Sequence, residues 1–116
     1  MSLSKLVRDK IPQIIRDTGA APVIRIADAE EYRGLLRAKL VEEVEEFLAS
    51  EDPSELADIL EVLLALAGDL GVDRDHLEKL RIAKTFERGG FAGRIVWSGN
   101  ASALGCAAYA GLTSSA

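Results

Sequence analysis

KLVEEVEEFLASEDPSELAD, residues 39–58, places Glu42, Glu43 and Glu46 before a short break and Glu55 and Asp58 after it. Carboxylates three apart stand on adjacent turns of an α-helix and point the same way, so Glu43 with Glu46 and Glu55 with Asp58 form two acidic pairs. On a helical wheel Glu43 and Glu46 sit beside Lys39, at the edge of an apolar stripe of Leu36, Leu40, Val44 and Phe47. Asp58 belongs to LADILEVLLALAG, a helix that is apolar nearly all round and carries Glu55, Asp58 and Glu61 as its charged strip. Such a helix is expected to be enclosed by others. A carboxylate near a core is costly unless it is paired, hydrogen-bonded or coordinated to a cation. Oxygen ligands without His or Cys suit a hard cation, and Mg²⁺ is usually held by a few carboxylates together with waters and substrate phosphates.

Composition narrows the classes. With 116 residues the chain has material for one core, so a single domain is expected. No apolar run approaches the ~20 residues of a membrane span, and MSLSKLVRDK lacks the apolar segment of a secretory signal, so a soluble cytoplasmic protein with no membrane partner is expected. Cys106 stands alone and is read as inert; His76, in the charged run DRDHLEK, is read as a solvated helix residue. A single His without a nucleophile motif leaves little material for a Ser-His-Asp or Cys-His mechanism. Tyr32, Trp97 and the three Phe residues are read as core side chains.

The net charge of −5 conceals a pattern. Basic side chains outnumber acidic ones before residue 28 and after residue 76, whereas the stretch between is strongly acidic. An acidic centre with basic flanks fits a cation bound to a polyphosphate, with Lys and Arg on the outer phosphates. It does not fit nucleic-acid binding, which calls for a basic stripe interleaved with aromatics.

In chain order, the spacing predicts a turn and then a helix from about Pro12 to the stop at Gly19. PVIRI, residues 22–26, reads as a strand or extended segment. Asp28 caps a helix over about 29–49, and Asp52 followed by Pro53 starts another that ends near Asp69. The short break between these two makes them antiparallel neighbours. Asp73 caps a third long helix that Gly89 and Gly90 end. FAGRIVW, residues 91–97, reads as a second strand able to pair with PVIRI, and residues 98–116 read as a loosely ordered tail. The predicted fold class is therefore all-α, an antiparallel helical bundle with a small two-strand β appendage. The apolar third helix calls for more cover than one small chain offers, which self-association into a homo-oligomer would supply.

At these residues the chain resembles the all-α nucleoside triphosphate pyrophosphatases of the MazG and phosphoribosyl-ATP pyrophosphohydrolase superfamily. Their EExxE and ExxD motifs stand here as Glu42-Glu43-Val44-Glu45-Glu46 and Glu55-Leu56-Ala57-Asp58. KLVRDKIP at 5–12 and ERGGF at 87–91 look like a short MazG-like subgroup. The resemblance covers about residues 4–97, so a domain over 1–97 followed by the tail is expected. The interval between Glu46 and Glu55 is shorter than in many relatives, which bears on the substrate mouth more than on the metal.

The resemblance implies that Glu43, Glu46, Glu55 and Asp58 ligate Mg²⁺, with Mn²⁺ as the alternative cation, and that Glu42 lies beside it. It implies hydrolysis of a nucleoside triphosphate between the α and β phosphates to a monophosphate and pyrophosphate, in nucleotide-pool house-cleaning. Two other readings stand beside it: a phosphoribosyl-ATP pyrophosphohydrolase of histidine synthesis, and a noncatalytic helical interaction protein. Glu42 or Glu46 is the expected catalytic base. Lys39, one turn before Glu43, and Lys84 with Arg88, four apart on the last helix, are expected to grip phosphates, with Lys5, Arg8 and Lys10 as further candidates. Lys39 has an ion pair with Glu43 as its competing role. A dimer or tetramer is expected.

Overall fold

The computed structural model of the chain describes residues 4–101 and 107–108. Cys106 and most of the expected tail lie outside the described residues. Among the described residues four helices follow one another: α1 (Ile11–Asp17), α2 (Ala29–Ser50), α3 (Pro53–Asp69) and α4 (Arg74–Arg88). The mostly helical class expected from the sequence is therefore observed. The chain divides into two compact units, Met1–Arg81 and Ile82–Ala116, with the boundary inside α4.

The caps explain why the helices begin and end there. In α1 a proline occupies the first turn, where its missing N–H goes unused, and Gly19 follows the helix at φ +91°. The Asp28 side chain accepts from the Glu31 N–H at 2.9 Å, Asp52 from the Ser54 N–H at 2.9 Å, and Asp73 from the His76 N–H at 2.8 Å. Each satisfies one of the donors that a helix start leaves free. Helix α2 stops at Glu51, whose N–H donates to the Phe47 carbonyl at 2.7 Å and whose backbone turns left-handed at φ 55°, ψ 23°. A single residue later Asp52 caps α3, so the chain reverses within two positions.

Helices α2 and α3 pack against each other. Arg33 near the start of α2 donates to Asp69 at the end of α3 at 2.8 Å, while Glu43 far along α2 lies with Glu55 and Asp58 at the start of α3. The pair is therefore antiparallel. Leu36, Val62 and Ala67 are buried between the two helices, with Tyr32, Leu40, Phe47 and Ile59 half-buried around them. Leu36 is 2 % exposed. On the rest of α3, Leu56, Leu60 and Leu63 stay between 39 % and 49 % exposed, so within the chain the apolar third helix is only partly enclosed.

The β appendage differs from expectation. Neither PVIRI nor FAGRIVW forms a strand; the one strand pair among the described residues joins β1 (Asn100–Ala101) to β2 (Ala107–Ala108), antiparallel, with Asn100 opposite Ala108. In FAGRIVW the Arg94 N–H donates back to the Phe91 carbonyl at 3.1 Å and Arg94 turns to φ 56°, which breaks the segment in its middle. In PVIRI, Arg25 is drawn to the first turn of α2, where its guanidinium makes two bonds to Glu31 at 2.5 and 2.6 Å. β-branched side chains favour extended backbone, but a strand also needs a ladder partner.

Candidate metal centre

The antiparallel α2–α3 pair brings the two acidic motifs together. One group consists of Glu42, Glu43 and Glu46 and the other of Glu43, Glu55 and Asp58; in each, one carboxylate oxygen per residue lies within 4.8 Å of the others. Glu43 belongs to both. It is also the buried member, with a 6 % exposed residue, while Glu42, Glu55 and Asp58 are half-buried and Glu46 is exposed. Its Oε1 pairs with Lys39 Nζ at 3.2 Å, and its Oε2 is buried with no hydrogen-bond partner among the described residues. A buried carboxylate oxygen without a partner can be relieved by a cation, a proton or a hydrogen-bond donor such as water. The donor set is all oxygen, which fits a hard divalent cation such as Mg²⁺.

Electrostatics separate the acids. Lys39 bonds Glu42 at 3.2 Å as well as Glu43. Burial works against its charge, but the hydrogen bonds to Glu43 and Glu42 outweigh it and hold the ammonium above its ordinary value. The Glu42 carboxyl is held below the usual glutamate value, first by its hydrogen bond to Lys39 and further by the charges of Lys39 and Lys5. Glu46 and Glu55 move the other way. Desolvation raises each, and neighbouring carboxylates add to it: Glu43 for Glu46, and Glu46 with Asp58 for Glu55.

The expected phosphate ligands fall into three groups. Lys5, Arg8 and Lys39 reach the acids: Lys5 lies 3.4 Å from Glu42, and Arg8 lies 2.7 Å from Asp58. Lys10 is the N-cap residue of α1 and lines neither of the cavities described below. Lys84 and Arg88 are exposed on the last turns of α4 and are not part of that lining either.

Two cavities meet at the acids. One, of about 410 Å³, is lined by Lys5, Ile11, Glu46 and Glu55 among others; the second, of about 290 Å³, is lined by Leu6, Tyr32, Leu36 and Val62 among others. Val7, Arg8, Lys39, Glu43 and Asp58 line both. Sequence reasoning assigned Tyr32 to the core and did not foresee its place on the second cavity. The signal was present in the spacing, since Tyr32, Leu36, Lys39 and Glu43 follow one another at four, three and four residues along one helix face.

No helix among the described residues is long and apolar enough to cross a membrane. No family model matches the chain, and no solved structure matches it. The chain is similar to an uncharacterised protein of Mycolicibacterium smegmatis (strain ATCC 700084 / mc(2)155), with 49 % identity over 49 residues, a stretch that is 42 % of this chain and 50 % of that protein.

Proposed function

We propose that the protein is a Mg²⁺-dependent nucleotide pyrophosphohydrolase that cleaves a nucleoside triphosphate between its α and β phosphates. The Glu43 carboxylate, buried with one oxygen that has no hydrogen-bond partner among the described residues and grouped with Glu46 on one side and with Glu55 and Asp58 on the other, is the observation that carries this reading. A divalent cation held by those four residues supplies charge neutralisation to the phosphates and to the leaving pyrophosphate. Lys39 keeps Glu42 and Glu43 oriented through its two ion pairs. Glu46 is the base that takes the proton of the attacking water. It is exposed to solvent and outside the ion pairs that hold Glu42 to Lys39 and Lys5. Lys5 and Arg8, on the rim of the larger cavity, hold phosphate oxygens.

Self-association belongs to the same reading. Leu56, Leu60 and Leu63 recur at helical spacing along α3, and Val41, Val44 and Leu48 do so along α2, all at least 36 % exposed. A second copy packed on these side chains supplies the cover that an apolar helix requires. Sedimentation velocity then gives a dimer or tetramer rather than a monomer.

The chemistry is tested by product analysis with a panel of nucleoside triphosphates and phosphoribosyl-ATP, with and without Mg²⁺, on wild type and Asp58→Asn. The expected outcome is metal-dependent release of a monophosphate and pyrophosphate that the variant loses. Folded wild-type protein that turns over no member of the panel and takes up no Mg²⁺ would leave the noncatalytic reading standing.

A further inference from the structure

The side chain of Arg8 occupies a position that a substrate-binding cation alone does not explain. Its Nη2 donates to Asp58 Oδ1 at 2.7 Å, and Asp58 is grouped with Glu55 and with Glu43, the buried carboxylate that has one oxygen without a hydrogen-bond partner among the described residues. Both partners of the ion pair line both cavities, so the pair stands in the wall the cavities share. The Arg8 carbonyl accepts from the Ile11 N–H at 3.0 Å, which ties the backbone to the start of α1. The side chain is 55 % exposed and that of Asp58 39 % exposed, so the guanidinium can leave without disturbing the core. An exposed ion pair of this kind is weak, so a divalent cation can displace it.

We propose that Arg8 is an exchangeable counter-ion: it neutralises Asp58 while no cation is bound and, once a divalent cation takes that carboxylate, turns from the shared wall to hold a phosphate of the substrate. The inference rests on the metal-binding reading of the acidic cluster and adds to it an order of events. Two positive charges repel when they meet on one carboxylate oxygen, so a cation that takes Asp58 Oδ1, the oxygen Arg8 holds, releases the guanidinium. A released guanidinium beside a cation–phosphate complex has the planar, two-pronged geometry that suits phosphate oxygens. Arg8 thus restrains premature loading with metal and couples loading to phosphate capture.

The test uses the full chain as wild type, Arg8→Gln and Arg8→Lys, each checked for helicity by circular dichroism. Mn²⁺ alone is titrated and free Mn²⁺ is read by electron paramagnetic resonance; binding of inorganic pyrophosphate is then measured by calorimetry at saturating Mg²⁺. Arg8→Gln is expected to bind Mn²⁺ about two- to fivefold more tightly, as removal of a competing charge requires. Arg8→Lys is expected to keep the wild-type Mn²⁺ affinity, and pyrophosphate binding is expected to weaken about tenfold in Arg8→Gln, the loss of one charge-assisted contact. Unchanged or weaker Mn²⁺ binding by Arg8→Gln overturns the inference, as does tighter Mn²⁺ binding with undiminished pyrophosphate binding. Wild-type protein that takes up no Mn²⁺ overturns the metal reading itself, an outcome distinct from both.

Discussion

Lys39 and Glu43, one turn apart on α2, form a 3.2 Å ion pair in which the lysine side chain is 19 % exposed and the glutamate side chain 8 %. The lysine is the cationic partner of a buried carboxylate. Replacement by Met leaves Glu43 without its cation, and a buried charge that loses its partner destabilises a fold more than the intact pair stabilised it. We expect Lys39→Met to lower metal-free stability by about 1–3 kcal/mol in urea unfolding, with part of the loss regained in Lys39→Met/Glu43→Gln.

The pH dependence follows from Glu46 and Glu55, whose carboxyls are raised above the ordinary value of 4.5 by desolvation and by neighbouring acids. A raised carboxyl means that the folded state binds protons more strongly than the unfolded chain. Stability from these two groups is thus greatest where both are protonated and falls as pH rises from about 4.5 through their folded values. Glu46→Gln/Glu55→Gln is therefore expected to melt at a higher temperature than wild type at pH 7 without metal, with the two curves converging below pH 4.5. Equal melting temperatures at pH 7 would argue against mutual repulsion among these acids.

Glu51 adopts a left-handed backbone that L-residues other than Asn and Asp rarely occupy. Glycine there relieves the steric cost, partly offset by the freedom it adds to the unfolded chain. Glu51→Gly should raise stability by about 0.5–1 kcal/mol in chemical denaturation, while Glu51→Val should lower it.

Leu36 is the most buried side chain of the α2–α3 interface and also borders the smaller cavity. Truncation to Ala removes its packing, at an expected cost of about 2–4 kcal/mol. Because the cavity already adjoins it, neighbours gain room to relax and the lower half of that range is expected. Urea unfolding of wild type and variant, with unchanged m-values, would measure it.

The helices were legible because their signals are local. Asp28, Asp52 and Asp73 stand where caps are needed, Pro12 and Pro53 where a missing N–H is harmless, and the structure uses them accordingly. The facing of Glu43 with Glu55 and Asp58 was also legible, since a break too short for anything but a reversal fixes which ends of two helices meet. The strands were not. PVIRI and FAGRIVW have the composition of strands, but pairing depends on what each meets, and Arg25 finds Glu31 instead. The contact of Arg8 with Asp58 lies fifty residues apart in sequence, and no periodicity carries such information. The same holds for Tyr32, whose helix face could be read but not the cavity beside it.

The tight reversal at Glu51 and Asp52 has a consequence for the order in which the molecule acquires its parts. All five carboxylates of the candidate centre flank this one turn, so a short loop closure assembles them before any distant contact is required. The metal-free hairpin then closes against the repulsion of its own acids. A divalent cation entering at that moment would act as a folding ligand, stabilising the hairpin as it forms as well as equipping the finished protein.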